Sequence, residues 1–144
     1  MSKFSALAAD VSAPFVVELR DPLDEVIRDT SGKAAFISVW SVDSPKAREF
    51  DKRRRKDLRQ RILQSRTGRI EMDDQVEENM AKCAALTADW YLVDPGTGEQ
   101  LNEPCTAENA ADLYAEPGLG HIFAQVWGGA INVANFMRSG SKNS

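Results

Sequence analysis

The chain has 144 residues, a formal net charge of −4, 42% hydrophobic residues and 28% charged ones. That length supports one domain with a real core, and the composition is that of a folded protein, not a disordered or collagen-like one. No run of about 18 apolar residues is present, so no membrane-spanning helix is expected. The start, MSKFSALAADVSAP, lacks the apolar core of a signal peptide. Cys83 and Cys105 form neither a CxxC pair nor a zinc pattern, and both are expected to be reduced and metal-free.

Residues 1–14 read as a flexible N-terminus, 15–138 as a single domain, and SGSKNS (139–144) as a disordered tail. FVVEL, Phe15 to Leu19, is short and β-branched, with Phe15, Val17 and Leu19 on one strand face. Asp21-Pro22 marks a turn, Val26-Ile27 offers a brief second strand, and DTSGK (Asp29 to Lys33) is another turn. AAFISVWSV then alternates, with Phe36, Ser38 and Trp40 against Ile37 and Val39. The first third therefore predicts a small antiparallel sheet.

Asp43-Ser44-Pro45 is a helix start, with either polar side chain able to cap and Pro45 suited to the first turn. On the helix that follows, Ala47, Phe50, Leu58 and Ile62 share one stripe, with Arg54 and Arg61 inside it. Arg48, Lys52, Arg55 and Arg59 form a second stripe well around the helix. Arg54 and Arg61 are expected to lay their stems on apolar neighbours and turn their heads outward or to a carboxylate. RTG at Arg66 to Gly68 breaks the pattern, and a second helix is expected from about Met72 to Trp90. Its apolar arc is Met72, Val76, Met80, Cys83, Leu86 and Trp90, and Asp74, Glu77 and Glu78 lie opposite. The pair reads as an αα-hairpin whose charged faces point mostly away from each other.

DPGTG (Asp94 to Gly98) is a turn between YLV and EQL. A short helix follows in CTAENAADLYAEPG, capped by Thr106 and ended by Pro117-Gly118. The last helix is expected over Leu119 to Met137, a stretch with no Asp, Glu, Lys or Arg. Gly128-Gly129 costs about 1 kcal/mol per residue there unless a bend or a close helix–helix contact compensates. The fold class expected is α+β: a small N-terminal antiparallel sheet, then a charged helical hairpin, a short helix and a neutral C-terminal helix.

Nothing in the sequence assembles a catalytic centre. His121 is the sole histidine and sits in the uncharged helix, and GxSxG, P-loop and HExxH motifs are missing. No catalytic, cofactor-binding or metal-binding residue is expected. The charge distribution says more. Eleven of the eighteen Lys and Arg residues fall between Lys46 and Arg69, beside three acids, Glu49, Asp51 and Asp57. A basic helix of this kind, Arg48 to Arg61, can lie along nucleic-acid phosphates, which makes a nucleic-acid-binding module the alternative reading. The acidic excess elsewhere, and the lack of interleaved aromatic or amide readers, argue against it.

The order of landmarks points elsewhere. FVVELRDP comes first, then FISVWSVDSPKAREFDKRRR, CAALTADWYLVDPGTGEQLN, and CTAENAADLYAEPGLGHIFAQVWGGAINVANF. Asp43-Ser44, Asp89-Trp90, Thr106, Glu108-Asn109-Ala110, Leu113-Tyr114, Pro117 and Asn135-Phe136 are the markers. This order, over roughly residues 15 to 137, resembles the tail assembly chaperones of long-tailed bacteriophages. DEVIRDTSGK after the Asp-Pro step is longer than the turn such a protein would have.

The resemblance implies a non-enzymatic protein of virion morphogenesis in the cytoplasm of the bacterial host. It implies two partners, the tape measure protein, held soluble, and the tail-tube protein, assembled around it. No cofactor, membrane or nucleic acid is implied. Candidate partner-binding residues are the basic stripe Arg48, Lys52, Arg55 and Arg59, the acidic face Asp74, Glu77 and Glu78, and Trp127 in the neutral helix. A homo-oligomer in which the basic stripe of one copy meets the acidic face of another is a further expectation.

Overall fold

Alternation in FVVE gives β1 (Phe15–Glu18), with Phe15 and Val17 half-buried and Val16 and Glu18 facing out. It pairs antiparallel with β2 (Phe36–Val39), Val17 opposite Ile37 and Glu18 opposite Phe36. β2 pairs in turn with β3 (Thr87–Val93), and β3 with β4 (Gln100–Leu101), both antiparallel. The computed structural model describes residues 3–64 and 75–137, and these four strands form one sheet in the order β1-β2-β3-β4. Four helices accompany it among the described residues: α1 (Pro45–Gln64), α2 (Gln75–Leu86), α3 (Ala107–Ala115) and α4 (Gly120–Ile131). The class is α+β as expected, but half of the sheet comes from residues beyond the first third of the chain.

The second helix stops at Leu86 instead of running to Trp90. Trp90 sits four positions after Leu86, a spacing that keeps one face in a helix and in a strand alike. Three interactions favour the strand. Ile37, fully buried at the centre of β2, needs a cross-strand neighbour and finds Trp90. The indole N–H of Trp90 donates to the Glu103 carbonyl at 2.8 Å. Thr87 turns the chain by donating its hydroxyl to the Cys83 carbonyl at 2.8 Å, which leaves its oxygen to accept from Tyr114 Oη at 2.6 Å. Tyr114 is 1% exposed, so this partner satisfies a hydroxyl that burial would otherwise strand.

Val17, Ile37 and Trp90 stand in one row across the sheet, and Glu18, Phe36 and Tyr91 in the next. The first row faces the helices. α4 crosses it so closely that a Cβ on Gly129 would lie 2.7 Å from Val17 Cγ2. The glycine pair thus serves a helix–sheet contact in place of the bend or helix–helix contact expected, and only Gly129 serves it: Gly128 has open space. Beside it Gln125 Oε1 accepts from the Arg20 N–H at 2.7 Å, and Gln125 Nε2 donates to the Arg20 carbonyl at 2.8 Å. A neutral side chain on this helix therefore caps the backbone at the end of the sheet edge.

The helix predicted to Met137 ends at Ile131, and a 3-10 turn follows over Val133–Phe136. Asn132 and Asn135 cause the change. Asn132 Oδ1 accepts from Ala134 N at 3.1 Å, and Asn135 Nδ2 donates to the Gly129 carbonyl at 3.0 Å, so side chains replace the helical ladder.

The long stretch after Asp21-Pro22 is an extension of the sheet. Leu19 N–H donates to Ala35, Ala35 to Ile27 and Ile27 to Leu19, which inserts Ile27 between the two arms. Val26 makes only an isolated bridge with Arg20, and Arg28 one with Ala34, short of the second strand expected over Val26-Ile27. Asp29 fixes the far turn by accepting from Ser31 Oγ at 2.6 Å, Lys33 N at 2.9 Å and the Tyr91 hydroxyl. Thr30 N–H donates across to the Gly98 carbonyl at 3.2 Å, and Gly98, at φ +74°, has no room for a side chain against Thr30. The 29–33 and 94–98 turns are thereby locked together.

Two predictions follow from these contacts. Gly129→Ala should destabilise by roughly 1–3 kcal/mol through overpacking on Val17. Gly128→Ala should stabilise by up to about 1 kcal/mol through helix propensity alone. Paired thermal or urea melts test this, and equal signs for the two variants would contradict it. Asp29 has its carboxyl held well below the usual range, by the Ser31 hydroxyl first and the Tyr91 hydroxyl second. A carboxylate depressed in the folded state stabilises fully above its unfolded pKa, and that stabilisation drains as pH falls through the folded value. Melts of wild type and Asp29→Asn should therefore differ at pH 7 and converge from about pH 4 downward. A constant gap would rule out the Asp29 clamp.

Candidate interaction surface

Ser44 starts α1. It is fully buried, its hydroxyl accepts from the Ala47 N–H at 3.3 Å, and Pro45 fills the first helical position. The helix is 20 residues long yet buries only Ala47. Phe50, Arg54 and Leu58 are half-buried, and Ile62 and Leu63 are 42% and 83% exposed. α1 is therefore a long helix attached mainly by its first three turns.

Two ion pairs hold it against α2. Arg54 Nε donates to both carboxylate oxygens of Glu78, at 3.0 and 3.1 Å, and its Nη2 to Oε1 as well. Lys82 Nζ reaches Asp51 at 3.1 Å. The charged faces of the hairpin thus meet only in flanking pairs that leave the stripe of Arg48, Lys52, Arg55 and Arg59 unconsumed, but one pair draws Glu78 from the outward face expected of it. The reason is the roll of α2: Val76, expected inward, is 52% exposed, and this brings Glu78 to the side facing α1. Arg54 does as its place in the apolar stripe predicts, burying its stem and finding a carboxylate. Arg61 pairs within its own helix, with Asp57 at 3.2 Å.

The sequence-derived candidates therefore separate. Arg48, Lys52, Arg55 and Arg59 are all exposed and make no ion pair among the described residues. Glu77 is exposed in the first turn of α2, whereas Glu78 is committed to Arg54. Asp74, with Met72 and the RTG break, lies outside the described residues. Trp127 is half-buried, not fully, and stacks on Phe123 with ring centroids 6.3 Å apart. Sequence reasoning missed Asp51 and Lys82 as a pair, since nothing on one helix announces which residue the other will present.

Because α1 touches α2 along so narrow a line, grooves open on both of its flanks. One, of about 410 Å³, has Val42, Phe50, Trp127 and Ile131 as its apolar walls and the Asp51–Lys82 and Arg54–Glu78 pairs on its rim. The other, of about 430 Å³, is floored by Ala81, Ala84, Ala85, Ala107 and Ala111, with Phe50 and Arg53 alongside. Alanine floors let a helix backbone approach closely, and the flanking cations remain solvated.

No group of three His, Cys, Asp or Glu residues able to hold a metal occurs among the described residues. Cys83 is buried, and desolvation pushes its thiol up to about 12, which keeps it from acting as a nucleophile at neutral pH. Among the described residues no helix is long and apolar enough to cross a membrane. Comparison of the chain with protein-family models, curated proteins and solved structures finds no match.

Neighbouring arginines provide a direct check on the two stripes. Arg54→Ala should lower stability by about 1–2 kcal/mol, because it leaves Glu78 partly buried without its partner. Arg55→Ala should change stability by less than about 0.5 kcal/mol. Urea melts of the two variants would refute the assignment if Arg55→Ala were the more damaging.

Proposed function

We propose that the chain is a phage tail assembly chaperone that holds the tape measure protein soluble in the cytoplasm of the bacterial host and promotes tail-tube assembly. The observation that carries this reading is the order of landmarks from FVVELRDP to the Asn135-Phe136 ending. Two physical features support it. A holder of long helical segments needs lightly covered apolar surface beside solubilising charge. The alanine-floored groove and the Trp127 groove supply the first, and the cations of α1 supply the second. Under this reading the chain performs no catalysis and needs no cofactor.

Binding of nucleic acid is the second reading, favoured by one observation: Arg48, Lys52, Arg55 and Arg59 lie free of ion pairs among the described residues, on one helix. Such binding would weaken steeply with salt.

The test is co-expression with the tape measure protein that this reading implies. The tape measure protein alone should be largely insoluble and should become soluble with this chain. Ala85→Gln with Ala111→Gln, which fills the alanine groove from two helices, should abolish that rescue while leaving the circular dichroism spectrum unchanged. No rescue by the wild-type chain would reject the proposal. Salt-sensitive duplex binding, lost when Arg48, Lys52, Arg55 and Arg59 become Gln, would favour the second reading.

A further inference from the structure

A third cleft lies on the far side of α3, between that helix and the sheet. It encloses about 310 Å³, and Trp90, Leu92, Leu101, Leu113 and Leu119 form its apolar walls. Leu101 is 47% exposed, on the short outer strand β4. Glu103, Asp112 and Glu116 stand around this cleft, all exposed, and none makes an ion pair among the described residues. Asp112 and Glu116 are one helical turn apart, so they present two carboxylates on one side. The cleft is thus apolar inside and uncompensated negative at its edge. Its ligand must offer aliphatic side chains and several cations at helical spacing.

This chain carries such a segment. At about 100° per residue, Leu63 falls in the middle of the basic stripe formed by Lys52, Lys56 and Arg59, with Ile62 next to Arg55. Lys52, Arg55, Lys56 and Arg59 are exposed and free of ion pairs among the described residues, and Leu63 is 83% exposed. The face that docks on α2, with Ala47, Phe50 and Arg54, is on the other side of the same helix. Twelve residues from Lys52 to Leu63 span roughly 16 Å at 1.5 Å per residue, about three helical turns, enough to set one leucine in the cleft and two or three cations on its rim.

We infer that the second half of α1, Lys52 to Gln64, docks into the Trp90–Leu113–Leu119 cleft of a second copy of this chain, with Lys56 and Arg59 meeting Asp112 and Glu116. The donor and acceptor surfaces are different patches of the molecule. The contact is therefore head-to-tail, and each added copy presents a new free helix and a new free cleft. It moves the acidic half of the interface away from Glu77 and Glu78, since Glu78 is already committed to Arg54 within the molecule. One helix in one cleft is a small interface, and its charged part is screened by salt, so the association is weak and concentration-dependent. This inference stands independently of the tape measure reading, because it concerns only copies of the same chain.

Sedimentation of the full chain over a concentration and salt series, with two variants, tests it. Arg59→Ser with Leu63→Ser removes the helix end, and Asp112→Lys with Glu116→Lys removes the cleft rim; all four positions are exposed. Wild type should show a weight-average mass that keeps rising with concentration at low salt and falls toward the monomer at high salt. Each variant alone should stay monomeric. An equimolar mixture of the two should form a dimer and stop there, since the helix-competent copy can dock on the cleft-competent copy and neither can extend. Monomeric wild type at the highest soluble concentration would overturn the inference. So would a wild-type mass that saturates at two, or a mixture that stays monomeric. Duplex DNA bound by wild type and by the cleft variant but not by the helix variant, with no self-association, would assign the stripe to phosphates instead.

Discussion

The approach of α4 to the sheet governs the rest of the molecule. Gly129 brings the helix backbone against Val17 and Val39, closer than any side chain would permit. At that separation Val126 and Ala130 become fully buried, and Gln125 is within reach of both backbone groups of Arg20. The same register sends Trp127 sideways, toward Val42 and the flank of α1. A helix held one side chain farther out would uncover the inner row of the sheet and lose the amide cap together. The two adjacent glycines look alike in the sequence, and only the fold distinguishes the one that makes contact from the one that faces space.

Much of the local structure was legible because its cause is local. Thr106 and Ser44 cap helices through atoms three residues away. Asp29 closes its turn with the residues two and four positions on. What failed was decided at long range. Trp90 belongs to a strand because Ile37, some fifty positions earlier, needs a partner, and helical and extended spacing agree too well over the four positions from Leu86 to separate them. The Asn132 and Asn135 bonds that end α4 early are likewise answers to packing, since Asn tolerates a helix when nothing competes.

The candidate surface was legible to a different degree on each helix. Periodicity separated the two stripes of α1 correctly, because Arg54 and Arg55 differ by 100° whatever the helix packs against. Periodicity alone placed Glu78 wrongly, whereas Glu77 is exposed as expected. The inward arc of α2 was drawn through Val76 and Trp90, the first of which is exposed and the second not helical. With both removed, the arc centres on Cys83 and Ala84, the helix rolls, and Glu78 moves from an outward face to the seam with α1. An error of one element boundary thus became an error about which acids are free.

That shift also explains how an acidic protein carries a basic helix. On α1, Arg54 pairs with Glu78 on the packed side, Arg61 with Asp57 and Arg53 with Glu49 along the helix, and Asp51 takes Lys82 from α2. Of the acids left over, Glu103, Asp112 and Glu116 stand around the cleft beside α3, and none of them makes an ion pair among the described residues. Isolated exposed pairs are worth only 0–1 kcal/mol each, so folding has little to gain by bringing these two sets together within one chain. Left apart, they give the molecule a charge asymmetry that acts at range on other molecules, beside two lightly covered apolar surfaces, Leu63 on α1 and the leucine-lined cleft. Charge orients an encounter and apolar contact retains it, and each of these two surfaces carries both.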